Sequence, residues 1–273
     1  MTIESRYDPS AAGGLLEADE VPPCRTLNPK SKGRLLFLCD HASFAVPKAL
    51  ENLGLPDNVL KDHMGWDIGA FEVMQRLAAR FDAPGLAGGY SRLVIDLNRP
   101  EGDPASIPAV SDATTIPGNQ NLSAVEVARR GEALFKPYHR AVNARLDDFL
   151  NQGTIPALIS VHSFTPALED ASPRKWQVGI LWNHDPRIAV PLIERLAANP
   201  ALCIGDNLPY TGRMLNYTVD THAQDRGIPH VALELRNDLI ATDDGAEKWA
   251  VILGDALEDI LADPDLYKIE HFI

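Results

Sequence analysis

The sequence has few of the features of a secreted or membrane-bound protein. Its three cysteines, Cys24, Cys39 and Cys203, are an odd number and lack the paired spacing of a metal site or a disulfide framework. The chain does not open on a basic segment followed by an apolar core, and no unbroken apolar run is long enough to cross a bilayer. We therefore expect a soluble, cytoplasmic protein without a membrane partner.

Positive charge is scarce as well. The 25 Lys and Arg residues face 38 Asp and Glu residues, which gives a net charge of -13. A surface of this sign repels phosphate backbones, so we expect no nucleic-acid partner. The sequence makes no prediction of the oligomeric state.

Several catalytic motifs are also missing. The sequence contains no GxSxG nucleophile elbow, no GxxxxGKS or GxxxxGKT phosphate loop, no HExxH and no GxGxxG after a strand. These absences disfavour a serine hydrolase or a nucleotide-dependent enzyme.

The residues that are present are typical of an α/β domain. Apolar residues make up 45% of the chain and charged residues 23%, which is the composition of a protein with a sizeable core. Residues 1–33 lack a periodic pattern and contain Pro22, Pro23 and Pro29, which indicates an N-terminal extension. In residues 34–273, short apolar runs alternate with helix-period segments. This alternation predicts a single domain with a central mixed, largely parallel sheet and helices on both faces. The runs that predict strands are 34–39, 91–97, 157–163, 177–182 and 230–235.

Four segments predict the main helices. The clearest begins at Ser123, where Glu126 completes a capping box, and ends before Gly153, with a bend expected at Pro137. The other helices are predicted over 68–81, 188–198 and 247–261, and the stretch 100–118 predicts a long, proline-rich loop.

Two histidines follow or end apolar runs. In open α/β sheets ligands collect at the carboxyl ends of the strands, so these positions are site candidates. His41 is either a metal ligand or a hydrogen-bonded histidine in a turn. His162 lies near the end of its run, where burial without a partner would be costly.

A carboxylate ends the last apolar run. Glu234 is enclosed by valine and leucine, and burial would raise the pKa of its carboxyl group, which suits a general base. The alternative is a buried salt bridge to Arg236, on the same face of the strand, or to another arginine. Two histidines and a carboxylate on separate strand ends fit a metal that activates water.

Two arginines lie at the ends of the run 91–97. Arg92 is its second residue, and Asn98 and Arg99 follow its last residue. A guanidinium group suits the capture of a carboxylate, although each arginine could equally be structural.

Three further side chains are weaker candidates. Asp67 by its position predicts the N-cap of the next helix, and Asp96 lies in a run whose faces cannot be assigned. His222, in the segment VDTHAQDRG, either lines the site or lies at the surface. No pattern singles out the remaining histidines of the interior of the chain, which are His63, His139, His184 and His230.

Taken in order, the segments DHAS, YSRLVIDLNRP, SVHSF and LELRND resemble the N-formylglutamate amidohydrolase family. The resemblance covers residues 34–253 and includes the segments GWDIGA, KPYH and THA. That family is similar in fold to the zinc carboxypeptidases. The resemblance therefore implies a hydrolase that cleaves a linear amide with a bound divalent metal, zinc in the first place. Its substrate would be a small N-acyl amino acid, most simply N-formyl-L-glutamate, which yields formate and L-glutamate.

The resemblance also implies a role for each candidate residue. His41 and His162 would hold the metal, Glu234 would activate the attacking water, and Arg92 would stabilise the oxyanion. The residues that would bind the substrate are Asn98, Arg99 and His222.

The third metal ligand differs from the carboxypeptidase pattern. The position three residues after the first histidine, which is acidic in carboxypeptidases, is Phe44 here. The candidates are Asp67 and Asp40. Asp67 is preferred, because Asp40 alternates away from His41 if the strand continues.

Two other functions stay open. A pocket that recognises a carboxylate need not demand a formyl group, so the chain could hydrolyse another N-acyl amino acid or a peptide-like amide. A non-catalytic protein of the same fold could bind a small ligand, since fold does not determine function. The presence of both histidines and Glu234 favours the enzyme.

Overall fold

The computed structural model describes residues 14–168, 172–213 and 216–272. Its strands are β1 (Cys24–Leu27), β2 (Leu35–Cys39), β3 (Gly85–Gly88), β4 (Val110–Ser111), β5 (Thr114–Thr115), β6 (Ala157–Phe164), β7 (Val178–Leu181), β8 (Ile204–Asp206) and β9 (His230–Arg236). Its α-helices are α1 (Asp57–Leu60), α2 (Ala70–Arg80), α3 (Ala124–Arg130), α4 (Lys136–Asn151), α5 (Ala189–Ala197), α6 (Tyr217–His222) and α7 (Asp243–Ala262).

One mixed sheet forms the centre of the fold, with the strand order β1-β3-β2-β6-β9-β7-β8. Strand β2 pairs in parallel with β3 and β6, β6 with β9, and β7 with β8. The pairs β1–β3 and β7–β9 are antiparallel, and β4 and β5 form a separate hairpin. The predicted fold class, a single α/β domain with a largely parallel sheet, is confirmed.

Helices cover both faces of this sheet. Successive strand residues point to opposite sides, so each strand contributes to two cores. On one face Phe37 and Ile159 pack with α2, α5 and α7, and on the other Leu36 and Leu158 pack with α4 and α6. Because both faces are buried, the strands are almost continuous apolar runs. Truncation of a fully buried strand residue such as Leu36 to Ala would cost about 2 to 5 kcal/mol.

Four of the five predicted strands are confirmed, as β2, β6, β7 and β9. The prediction over 91–97 is wrong, since this segment forms turns. The Ser91 hydroxyl accepts a hydrogen bond from the Leu93 amide, and the Ser91 carbonyl accepts one from the Val94 amide. The backbone is thus bonded locally instead of to a neighbouring strand. The run is apolar because Leu93, Val94 and Leu97 are buried in the core on the α4 side.

The four predicted helical regions are confirmed, with one interruption. Ser123 and Glu126 form the capping box at the start of α3. A π-helical turn over Gly131–Phe135 then separates α3 from α4. Pro137 lies in the first turn of α4, where the missing N–H of proline is tolerated. The interruption therefore comes just before the position at which a bend was predicted.

Part of the predicted N-terminal extension belongs to the sheet, because β1 pairs with β3 at one edge. Residues 1–13 of that extension lie outside the described residues. The sequence of β3, GLAG, has no strand pattern, yet Gly88 is needed for a close approach of the backbone. A Cβ atom at Gly88 would lie 2.1 Å from the carbonyl oxygen of Asp40. Among the described helices, none has both the length and the apolar character that a membrane span requires.

Candidate active site

Three neighbouring strands end at the same edge of the sheet, and each brings one candidate residue there. His41 follows β2, which ends at Cys39. In the parallel pair β6 and β9, His162 is the Cα partner of Glu234. All three candidate side chains are buried. The structure thus brings together the two histidines and the carboxylate that the strand ends indicated.

Asp67 lies between the two histidines. Its Oδ2 atom is 3.2 Å from Nδ1 of His41 and 2.9 Å from Nδ1 of His162. Ligand atoms of these three residues all lie within 4.8 Å of one another. The default interpretation of Asp67 as a helix cap is wrong, because the N-cap of α2 is Gly69.

The second ring nitrogen of each histidine is also held. Nε2 of His41 lies 2.8 Å from Oδ1 of Asp96. Nε2 of His162 lies 3.0 Å from the Ser160 hydroxyl and 3.4 Å from Oδ2 of Asp40. Contacts of this kind fix the orientation and tautomer of imidazoles that bind a metal through the other nitrogen.

Asp40, the alternative third ligand, lies on the far side of the His162 ring. Its Oδ1 atom accepts a hydrogen bond of 2.6 Å from the Tyr138 hydroxyl. It is not a member of the metal-type group that Asp67 forms with the two histidines among the described residues. The geometry therefore favours Asp67 as the third ligand.

Opposite charges determine protonation in this cluster. Burial alone would raise the pKa of Asp67, but His41 and His162 hold it well below its usual range. Burial would lower the pKa of His162, yet Asp40 and Asp67 raise it well above the ordinary value. Asp67 is thus ionised and faces a protonated imidazole of His162. A metal cation that binds there would displace the extra proton from the histidine.

Glu234 shows the opposite behaviour to Asp67. Its side chain is 8% exposed, and its Oε2 atom has no hydrogen-bond partner among the described residues. Burial raises the pKa of Glu234 to about 7, against the lowering effect of His162. The alternative salt bridge to Arg236 is not formed, since Arg236 Nε donates to Asp238 at 2.7 Å. A carboxyl group with a pKa near neutrality is suited to proton transfer.

The cluster opens into a cavity of about 360 Å³. Among its lining residues are His41, His162, Glu234, Arg92, Asn98 and Arg99. Arg92 is held by two carboxylates, with Nη1 3.3 Å from Asp67 and Nη2 2.8 Å from Asp96. Arg99 donates to the carbonyl oxygen of Asn98 and makes no ion pair with any described residue. Its charge is therefore available to an anion that enters the cavity.

His222 is not brought together with the other candidates. It is buried and is not one of the residues that line the cavity. Its Nε2 atom lies 2.7 Å from Nδ1 of His139, and the two rings meet edge to edge and nearly coplanar, with their centroids 5.0 Å apart. Its Nδ1 atom lies 3.0 Å from the side-chain oxygen Oδ1 of Asn143.

Sequence reasoning missed part of the cavity wall. His63, Asp112 and Tyr210 line it, and Nε2 of His63 lies 3.0 Å from Oδ2 of Asp112. These residues come from loops, in which no hydrophobic period marks the direction of a side chain. The sequence feature that pointed to this wall was the long loop predicted over 100–118, because long loops in compact enzymes often line a site.

Comparison with known proteins shows the family of the chain. Residues 33–241 match the N-formylglutamate amidohydrolase family. The chain belongs to that family. The family is one of hydrolases that act on an amide. No curated protein matches the chain significantly.

Two crystal structures resemble this family member. A gene product of Agrobacterium tumefaciens is 32% identical, with a TM-score of 0.87 over 91% of this chain and 98% of its own. An N-formylglutamate amidohydrolase of Ralstonia eutropha JMP134 is 19% identical, with a TM-score of 0.70 over 89% of this chain and 98% of its own. At that identity the second likeness shows the fold alone.

The donor set in this member of the N-formylglutamate amidohydrolase family fits a divalent metal. Two imidazole nitrogens and one carboxylate oxygen are a common ligand set of catalytic zinc sites. Two ligands about 2.1 Å from one ion in a tetrahedral site lie about 3.4 Å apart. The contacts of 2.9 and 3.2 Å between Asp67 and the two histidines are close to this spacing.

Proposed function

We propose that this chain is a metal-dependent amidohydrolase that removes the formyl group from an N-formylated amino acid. N-formyl-L-glutamate, which would yield formate and L-glutamate, is the first substrate to test. One observation carries the proposal: His41, Asp67 and His162 converge beside Glu234, a buried carboxyl group whose pKa is raised to about 7.

The metal would be held by His41, His162 and Asp67, and zinc suits this set. A divalent ion there would polarise the acyl carbonyl and lower the pKa of a water molecule beside it. Asp96 would keep the His41 ring in place through Nε2, and Ser160 would do so for His162.

Glu234 would move the proton. As a carboxylate, it takes a proton from the attacking water while the new C–O bond forms at the acyl carbon. It then delivers this proton to the amide nitrogen as the C–N bond breaks, which returns Glu234 to its ionised form. A pKa near the working pH allows the same group to act first as base and then as acid.

Two arginines would divide the remaining work. Arg92 is fixed by Asp67 and Asp96 next to the cluster, where its guanidinium group would stabilise the developing oxyanion by about 3 kcal/mol. Arg99 makes no ion pair with a described residue, and with Asn98 it would bind the substrate carboxylate.

Formate release from N-formyl-L-glutamate by the purified protein tests this proposal. We expect the wild type to release formate, a chelator to abolish this release and added zinc to restore it. The variant Glu234→Gln should release no formate. The matched control is Glu194→Gln, on the exposed side of α5, which should retain activity. Full activity of Glu234→Gln, or activity that persists without metal, would contradict the mechanism.

Formyl derivatives of other amino acids and longer N-acyl groups define the substrate. If the protein hydrolyses one of these compounds and not N-formyl-L-glutamate, it is still a metallohydrolase, but its substrate differs from the one proposed. A purified chain that binds no metal and hydrolyses none of them would instead favour a ligand-binding protein of this fold.

A further inference from the structure

We propose that His139, His222 and Thr218 are positioning residues that hold Asn98 and Arg99 in place for the substrate carboxylate. His222 would thus act from behind the cavity wall instead of touching the substrate. The inference rests on the proposed function for its kinetic test, but not for its structural one.

Helices α4 and α6 hold the segment 97–99 from one side. The carbonyl oxygen of Leu97 accepts a hydrogen bond of 2.9 Å from Nε2 of His139 and one of 3.2 Å from the Thr218 hydroxyl. The Thr218 amide donates to Oδ1 of Asn98 at 2.9 Å. Three hydrogen bonds thus anchor the two residues that precede Arg99.

Asp96 holds the same segment from the other side. Its Oδ1 atom accepts a hydrogen bond of 2.8 Å from the Asn98 amide and lies 2.8 Å from Nε2 of His41. Its carbonyl accepts a hydrogen bond from the Arg99 amide. The position of Arg99 relative to the metal-type cluster therefore depends on both sets of bonds.

His222 links the ring of His139 to Asn143. The carbonyl of Leu97 only accepts, so Nε2 of His139 carries a hydrogen. At the other end of the pair, Nδ1 of His222 lies 3.0 Å from Oδ1 of Asn143, which also accepts a hydrogen bond from Nη2 of Arg226. Between these two ends, Nδ1 of His139 and Nε2 of His222 lie 2.7 Å apart. His222 and Asn143 thus hold the His139 ring in the orientation in which Nε2 donates to Leu97.

A direct contact of His222 with substrate does not fit its surroundings. The residue is 1% exposed and does not line the cavity, and both of its ring nitrogens face protein atoms, Nε2 facing His139 and Nδ1 facing Asn143. The His139 ring also packs against Phe135, at 4.1 Å between ring centroids. An aromatic replacement of His139 can therefore keep the packing and remove only the hydrogen bonds.

Hydrogen–deuterium exchange of the segment 96–99 tests the positioning without substrate or metal. His139→Phe should speed exchange there about tenfold, the effect of one lost hydrogen bond, and leave the strands of the sheet unchanged. The matched control, His184→Phe, changes an exposed histidine and should leave the segment as in the wild type. Unchanged exchange in His139→Phe, or faster exchange throughout the chain, would overturn the proposal.

Kinetics with a carboxylate-bearing N-acyl amino acid provide the second test. Thr218→Val should raise KM about tenfold with kcat within about threefold of the wild type, and Thr218→Ser, which keeps the hydroxyl, should restore KM. In the Arg99→Ala background, His139→Phe should add no further increase in KM, because the two act through one contact. Full additivity, or an equal loss in kcat, would overturn the proposal. If the wild type hydrolyses no N-acyl amino acid, the proposed function fails, and the exchange experiment alone decides the positioning.

Discussion

Replacement of Glu234 by Gln should stabilise the metal-free protein at alkaline pH while it removes activity. Burial raises the pKa of Glu234 from 4.5 to about 7. Between these values the unfolded chain ionises first, so the folded state loses stability as pH rises, and the loss is complete above about pH 7. Glutamine does not ionise, and the variant escapes this loss.

The size of the effect follows from the pKa difference. The interval from 4.5 to about 7 corresponds to about 3 kcal/mol, at about 1.4 kcal/mol for each pKa unit. The advantage of the variant should grow from about 1 kcal/mol at pH 5 to about 3 kcal/mol at pH 8. Bound zinc would supply a nearby cation, lower the pKa of Glu234 and reduce the difference.

Denaturant unfolding in the presence of a chelator, followed by tryptophan fluorescence at pH 5, 6, 7 and 8, measures this difference. The control is Glu194→Gln, which neutralises an exposed glutamate of α5 and should show no comparable pH dependence. An advantage of Glu234→Gln that is the same at every pH would refute the reasoning. A variant less stable than the wild type at pH 8 would refute it as well, because the buried carboxylate would then have a stabilising partner.

Four other predictions concern the candidate active site. Elemental analysis should find one divalent ion per chain. Asp96→Asn should weaken zinc binding about 10- to 100-fold, because it replaces the carboxylate at Nε2 of His41 by a neutral amide, and unchanged affinity would contradict this role. The value of kcat/KM should rise with pH up to an apparent pKa at or below about 7, because Glu234 must lose its proton to act as a base. A kcat/KM that does not change between pH 5 and pH 8 would exclude Glu234 as that base. Arg92→Ala should lower kcat about a hundredfold with unfolding still cooperative, and a smaller effect would assign the oxyanion to another group. Arg99→Ala should raise KM at least about tenfold for a substrate that carries a carboxylate and leave KM unchanged for a substrate that lacks it. Steady-state kinetics on the two compounds measure this difference.

The sequence alone was sufficient for the fold class and for the three strand ends that meet at the candidate site. Strands buried on both faces must be apolar whatever their partners, which is why β2, β6 and β9 were recognisable. A polar residue at the end of such a run must have a partner or a function, and this reasoning selected His41, His162 and Glu234. All three line the cavity.

The local residue pattern gave the wrong secondary structure where a buried segment is not a strand, or where a strand lacks an alternation of apolar side chains. The run 91–97 is apolar because it is buried, yet its backbone is bonded in turns around Ser91. Strand β3 has no apolar alternation, because close approach of its Gly88 to Asp40 requires a residue without a side chain. In both cases the decisive contacts come from residues distant in the sequence.

Tertiary structure alone decided which of the remaining polar residues meet. Asp67 and Asp40 were both candidates for the third ligand, but Asp67 lies at Nδ1 of both histidines and Asp40 lies near Nε2 of His162. The resemblance gave the KPYH segment no role and placed His222 of the THA segment at the substrate, whereas the fold brings His139 and His222 together behind Leu97. Secondary-structure periodicity indicates which face of an element is buried. The partner that a polar side chain meets there depends on the packing of elements distant in the chain, which no local pattern of residues encodes.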